Sequence, residues 1–281
     1  MNQKILEDKL SVNTYLCPKD FDHEIFLNYY IKHNIKNIGL HIDFIDKIGI
    51  NNIKEFIQKH LLNISSINSL GYFTDDNQKN NKKVLEYAKF LDCSLVCLIT
   101  GGLLGGPVTA PKIDVTKDDF KINIENQRKK TSKKLLSLFN IADRMGLTIG
   151  IEPINPSDIL NKGHFNDLWS CLNLVKNTNH KIIVDLYHSF SDHYLYNFLK
   201  KSNQLGLLQI SDVRFDKNYK LIGRDIIDLK KLKLPLQNIL KLILQRKDDI
   251  KIEFEIFPND IQNNNLEWVF ANLKSNLAKI I

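Results

Sequence analysis

Apolar runs of strand length alternate with longer stretches of helical period along the chain, and this alternation predicts its architecture. LSVNTYLC (10–17) reads as a first strand, followed by a helix over 22–34 with Phe26, Tyr29 and Tyr30 on one stripe. NIGLHI (37–42) and NIKEFIQKHL (52–61) form the second strand and helix; ISSINSLG (64–71) and NKKVLEYAKFL (81–91) form the third pair. SLVCLITGG (94–102) is a fourth strand ending in glycines, and a long helix over about 118–145 stops at Met145-Gly146. The second half repeats the pattern with strands at 147–153, 181–188, 205–213 and 250–257. Helices are predicted near 166–178, 191–202, 229–246 and 265–277.

Eight strand–helix repeats in series predict an α/β chain with a parallel sheet, and their number and length suit one closed (β/α)8 barrel over residues 1–281. An open doubly wound sheet is the competing arrangement, but no GxGxxG follows the first strand. The glycine- and proline-containing stretch 103–117 is expected to be a loop over the active face.

Composition narrows the function classes. The chain has a hydrophobic share of 43%, enough for a large core. Its formal net charge is +7, yet lysines and acids are interspersed, and the densest basic cluster, Arg128 to Lys134, falls in a predicted helix. A solvated helix face accounts for it, so no nucleic-acid partner is expected. Cys17, Cys93, Cys97 and Cys171 lack CxxC spacing and read as reduced thiols. The opening MNQKILEDKL does not resemble a signal peptide and no apolar run reaches membrane length, so a cytoplasmic protein without membrane contact is expected.

Side chains of barrel strands alternate between the interior and the surrounding helices, and catalytic groups collect at the strands' C-terminal ends. Placing the isoleucines of the fifth strand outward puts Glu152 inside, at the end. The same rule turns Asp185 inward on the sixth strand, Gln209 and Ser211 on the seventh, and Glu253 and Glu255 on the eighth. Gathering carboxylates in a poorly solvated space is costly unless a cation joins them. A divalent metal is the expected cation, and the oxygen-rich donors favour Mn2+ or Mg2+, with Co2+ or Zn2+ as alternatives. His41, at the end of the second strand, either lines the pocket or is a core histidine.

The segments GLTIGIEPINPSD, IIVDLYHSF, LLQISDVR and IEFEIF resemble those of the xylose isomerase-like TIM-barrel family, which includes D-tagatose 3-epimerase, inosose dehydratase and hydroxypyruvate isomerase. The resemblance implies metal ligation by Glu152, Asp185 and Glu255, with Glu152 and Glu255 also the acid–base pair. Gln209 stands where the family has a histidine ligand and is expected to complete the coordination. His188 of the Asp-x-x-His motif, Arg214 and Asp158 correspond to residues that contact substrate. The family's glycine-acid-glycine loop becomes Gly223-Arg224-Asp225 here. The implied function is isomerisation or epimerisation of a small carbohydrate through an enediolate, with dehydration possible on the same scaffold, by a homodimer or homotetramer. A non-catalytic sugar-binding barrel and an apurinic endonuclease are the rival readings. The second needs a richer set of zinc-binding histidines at the strand ends than this chain provides.

Overall fold

A computed structural model of the chain describes residues 2–73, 78–103, 124–261 and 265–280. Ten strands are described: β1 Leu10–Asn13, β2 Asn37–His41, β3 Asn63–Gly71, β4 Leu95–Ile99, β5 Thr148–Ile151, β6 Lys181–Asp185, β7 Leu205–Ile210, β8 Asp212–Phe215, β9 Leu221–Asp225 and β10 Lys251–Phe254. Eight of them close a parallel barrel in the order β1-β10-β7-β6-β5-β4-β3-β2. β8 and β9 form a separate antiparallel hairpin inserted after the seventh barrel strand. The predicted loop at 103–117 lies outside the described residues from position 104 on.

The helices are α1 Asn2–Lys9, α2 His23–Lys32, α3 Ile42–Ile48, α4 Ile50–His60, α5 Gln78–Phe90, α6 Ile124–Met145, α7 Leu168–Val175, α8 Leu186–Ser189, α9 Leu195–Lys201, α10 Leu236–Leu244 and α11 Leu266–Ile280. Three differences from the pattern-based expectation stand out. The polar α1 precedes the first strand, where no helical stripe was visible. The sixth strand ends at Asp185, because the Asp185 side chain accepts from the Tyr187 amide and caps the short α8. The hairpin occupies residues expected to hold a strand end and a loop.

Strand alternation divides the core in two. Val96, Leu98, Ile149, Ile151, Ile182, Val184, Leu208, Ile210, Ile252 and Phe254 belong to the large cluster shared with the helices, each at most 1% exposed. The smaller interior cluster, Leu95, Cys97, Ile99, Ile154, Ile183 and Leu207, comes mostly from intervening positions of β4, β6 and β7. The opposite side of the interior is polar. Glu253 accepts there from Asn13 Nδ2 (2.7 Å), Ser65 Oγ (2.6 Å), Ser66 Oγ (2.8 Å) and Gln209 Nε2 (3.1 Å). Gly39 makes this possible, since a Cβ there would sit 2.3 Å from Glu253 Oε2. Four donors on one buried carboxylate meet the requirement that interior polar groups be satisfied.

Candidate active site at the barrel mouth

Glu152, Asp185, Gln209 and Glu255 are all buried, at the C-terminal ends of β5, β6, β7 and β10. Strand register puts Asp185, Gln209 and Glu253 side by side, with Glu255 one interior layer above. Their contacts distinguish the two glutamates. Glu253 turns into the serine and asparagine network, whereas Glu255 turns to the mouth, where it receives Gln209 Nε2 and lies 3.3 Å from Arg224 Nη2. The Gln209 amide nitrogen thus faces two carboxylates, and its Oε1 is buried without a hydrogen-bond partner among the described residues.

Arg224 enters from the hairpin. It pairs with Val213 in the β8–β9 register, and its guanidinium reaches Asp185 Oδ2 and Glu255 Oε1. The guanidinium carbon lies 4.5 Å from the ring centroid of Tyr187 and 5.0 Å from that of Phe257. Only 4% of the side chain is exposed. Burial disfavours its charge, but Asp185, Glu255 and Glu152 outweigh burial and hold its pKa above the usual value.

His188 sits between the acids, with Nε2 3.7 Å from Glu152 Oε1 and 3.8 Å from Asp185 Oδ2. The Asn155 amide donates to His188 Nδ1 at 3.1 Å. A neutral ring that accepts at Nδ1 carries its proton on Nε2, so this edge is a donor. Lys162 Nζ approaches the same Nε2 at 2.9 Å. Burial first, then Lys162 and Arg224, push His188 well below the ordinary histidine pKa and keep it neutral.

Burial is also the main force on the carboxyl groups. It raises Glu152 to about 7, with Asp185 adding to the rise and Lys162 and Arg224 opposing it. It drives Glu255 well above the usual range, opposed by Arg224 and reinforced by Glu152, Asp185 and Glu253. Cys97 Sγ donates to Glu152 Oε2 at 3.2 Å. Four carboxyl groups, counting Glu253, share this space with Arg224 and Lys162.

The remaining expected site residues lie around this centre. His41 is half-buried and packs at a tilt on Tyr15 with centroids 4.2 Å apart, and Tyr15 in turn packs on Phe257 at 5.1 Å. Arg214, on β8, donates to Asp260 at 3.1 Å and is part-exposed. Asp158 ends a short 3-10 turn, Pro156–Asp158, capped by Asn155. Lys162, Cys97, Tyr187 and Phe257 were not anticipated as neighbours of the carboxylates. The signal for Arg224 in the sequence is the Gly-Arg-Asp that stands where the related loop has an acid between glycines.

A family model described as a xylose isomerase-like TIM barrel matches residues 33–273. The chain belongs to the xylose isomerase-like TIM-barrel family. Solved structures of similar fold cover it almost end to end. A Sinorhizobium meliloti 1021 protein, SMc04130, is 18% identical with a TM-score of 0.80, covering 97% of this chain and 98% of that one. An IolI protein crystallised with a zinc atom is 17% identical with a TM-score of 0.71, covering 97% of each chain. D-psicose 3-epimerase from Clostridium cellulolyticum H10, solved with D-tagatose, is 15% identical with a TM-score of 0.67, covering 97% and 98%. At these identities the likeness establishes the fold of this family member. No curated protein matches its sequence.

Candidate ligand atoms of Glu152, Asp185 and His188 lie within 4.8 Å of one another, a cluster of the kind that can hold a divalent ion. The fit is partial. Glu152 and Asp185 offer the oxygens a hard ion prefers. However, His188 presents a proton on Nε2, Gln209 directs its nitrogen at Glu255, and Arg224 already bridges Asp185 and Glu255.

Proposed function

We propose that this protein is an isomerase or epimerase of a small carbohydrate, acting by proton transfer at a carbon next to a carbonyl. The observation that carries this reading is the pair Glu152 and Glu255, buried at the ends of β5 and β10, both with raised pKa and both facing Arg224. A carboxylate raised to about 7 is a base strong enough to take a proton from an activated carbon near neutral pH, and as an acid it can return one. Two such groups on different strands can work from opposite sides of a substrate carbon. Proton return to the opposite face gives an epimer, and return to the neighbouring carbon gives an aldose–ketose isomer. Loss of a β-hydroxyl from the same enediolate gives dehydration.

His188 Nε2 and Lys162 Nζ lie 2.9 Å apart, close enough for one oxygen acceptor above the pair to be shared by both. They are the groups we assign to holding a sugar oxygen. His41 with Tyr15 forms a wall, while Arg214 and Asp158 are assigned to outer hydroxyls. Glu152 and Asp185 carry the oxygens that Mn2+ or Mg2+ takes, but Arg224 occupies Asp185 and Glu255 and Gln209 donates to Glu255, so the proton transfer is assigned to the side chains themselves.

The test is exchange of substrate protons with heavy water, measured over a panel of ketopentoses, ketohexoses and inososes. Incorporation into at least one is expected, and Glu152→Gln and Glu255→Gln should each reduce it by about 10²–10⁴-fold. No incorporation from any substrate, or unchanged exchange in both variants, would overturn the reading.

A further inference from the structure

Of the residues expected to hold a metal, Asp185, Glu255 and Gln209 are engaged with Arg224 or with one another, and His188 turns a protonated nitrogen to the same space. Arg224 Nη2 bonds Asp185 and lies 3.3 Å from Glu255, so one guanidinium ties together the acids of β6 and β10. The Gln209 amide completes the shell of Glu255 and donates to Glu253 as well. The His188 ring offers a proton because the Asn155 amide occupies its other nitrogen.

Arg224 is also held firmly. Tyr187 and Phe257 flank its guanidinium at 4.5 and 5.0 Å, and only 4% of the side chain is exposed. Val213, its partner across the hairpin, is fully buried. A planar cation between two aromatic rings with carboxylates at its edge is a stable and specific arrangement. A divalent ion bound to Asp185 and Glu255 would need the same oxygens and would lie within a few ångströms of a buried positive charge. Repulsion at that distance is large in a poorly solvated site.

We propose that Arg224 is the resident cation of this carboxylate cluster, in place of a divalent metal. The guanidinium neutralises Asp185 and Glu255 and provides positive charge at the mouth toward which an oxygen of the substrate is drawn. This second role rests on the proton-transfer reading above; the displacement of metal does not. Arg224 is a positioning residue for the acids, and the hairpin β8–β9 is the element that delivers it.

Metal content and affinity test the proposal without any substrate. The full-length protein, purified without chelator, is analysed for bound metals and titrated calorimetrically with Mn2+ alone. Expected are substoichiometric metal and weak Mn2+ binding by the unaltered protein. Arg224→Met, which keeps the length and apolar contacts but removes the charge, should bind Mn2+ at least ~10-fold more tightly. Arg224→Lys, which keeps the charge, should bind as weakly as the unaltered protein. Stoichiometric metal that survives dialysis of the unaltered protein overturns the proposal even if Arg224→Met does not fold, and so does equal Mn2+ affinity in a folded Arg224→Met. Where heavy-water exchange is found, its persistence in EDTA supports Arg224 as the working cation, and its complete loss overturns that role while leaving the isomerase reading intact. Absence of exchange with every sugar defeats the isomerase reading and leaves the metal titration to decide the place of Arg224.

Discussion

At the scale of single residues, the barrel interior is organised around carboxyl groups whose neighbours differ sharply. Glu253 has four donors and serves structure, while Glu152 and Glu255 have few and carry raised pKa values. Replacing Glu253 by glutamine keeps its shape but turns one acceptor into a donor facing other donors. We expect Glu253→Gln to lower stability by about 1–3 kcal/mol, the cost of unmatched buried polar groups, read as a lowered urea midpoint. Both glutamates were legible in the sequence as inward positions of one strand. Only the resemblance to the family singles out Glu255, because alternation fixes the face and says nothing of the layer.

Among elements, the hairpin β8–β9 has the largest effect on the site and was the least visible. Its strands are short, and RFDKNYKLIGRD has neither a strong period nor an Asn-Gly turn. Its base is anchored by Asp212, which is buried, accepts from the amides of Lys233 and Leu234, and pairs with Lys233 Nζ at 3.5 Å. Removing that acceptor leaves two backbone donors without their partner. Asp212→Ala should therefore destabilise the protein by about 1–3 kcal/mol and make the 212–234 segment more accessible to limited proteolysis. Unchanged proteolysis together with unchanged thermal midpoint would refute the anchoring role. The barrel strands, by contrast, were legible from the alternation of apolar runs, with ends displaced where a side chain such as Asp185 caps a following turn.

For the whole molecule, several buried histidines link stability to pH. Burial lowers the pKa of His180, with Asp143 opposing, and lowers that of His164. The His180 Nδ1 accepts from the Ile149 amide of β5, and His164 Nε2 contacts Thr131 on α6. A histidine with a lowered pKa in the fold binds its proton more readily when unfolded, so stability is complete above the unfolded value near 6.5 and declines as pH falls below it. The histidines by themselves lower the thermal midpoint between about pH 6.5 and 5, whereas Glu152 and Glu255, raised in the fold, act in the opposite direction. His180→Asn keeps an acceptor for the Ile149 amide without titrating, so its midpoint should fall less steeply over this interval. A slope equal to that of the unaltered protein would exclude His180 as a contributor. Among the described residues no helix is long and apolar enough to cross a membrane.

The sequence by itself determined the (β/α)8 barrel and the inward facing of Glu152, Asp185, Gln209, Glu253 and Glu255. Both follow from local rules: hydrophobic period sets element type, and strand alternation sets which side chains face inward. Tertiary structure decided what compensates the charge of those acids. That depends on contacts between residues far apart in the chain, Arg224 with Asp185 and Asn155 with His188, and on the tautomer and amide orientation those contacts impose. No period or motif encodes such pairings, because they come into being only when the closed barrel brings its strand ends and the inserted hairpin to one mouth.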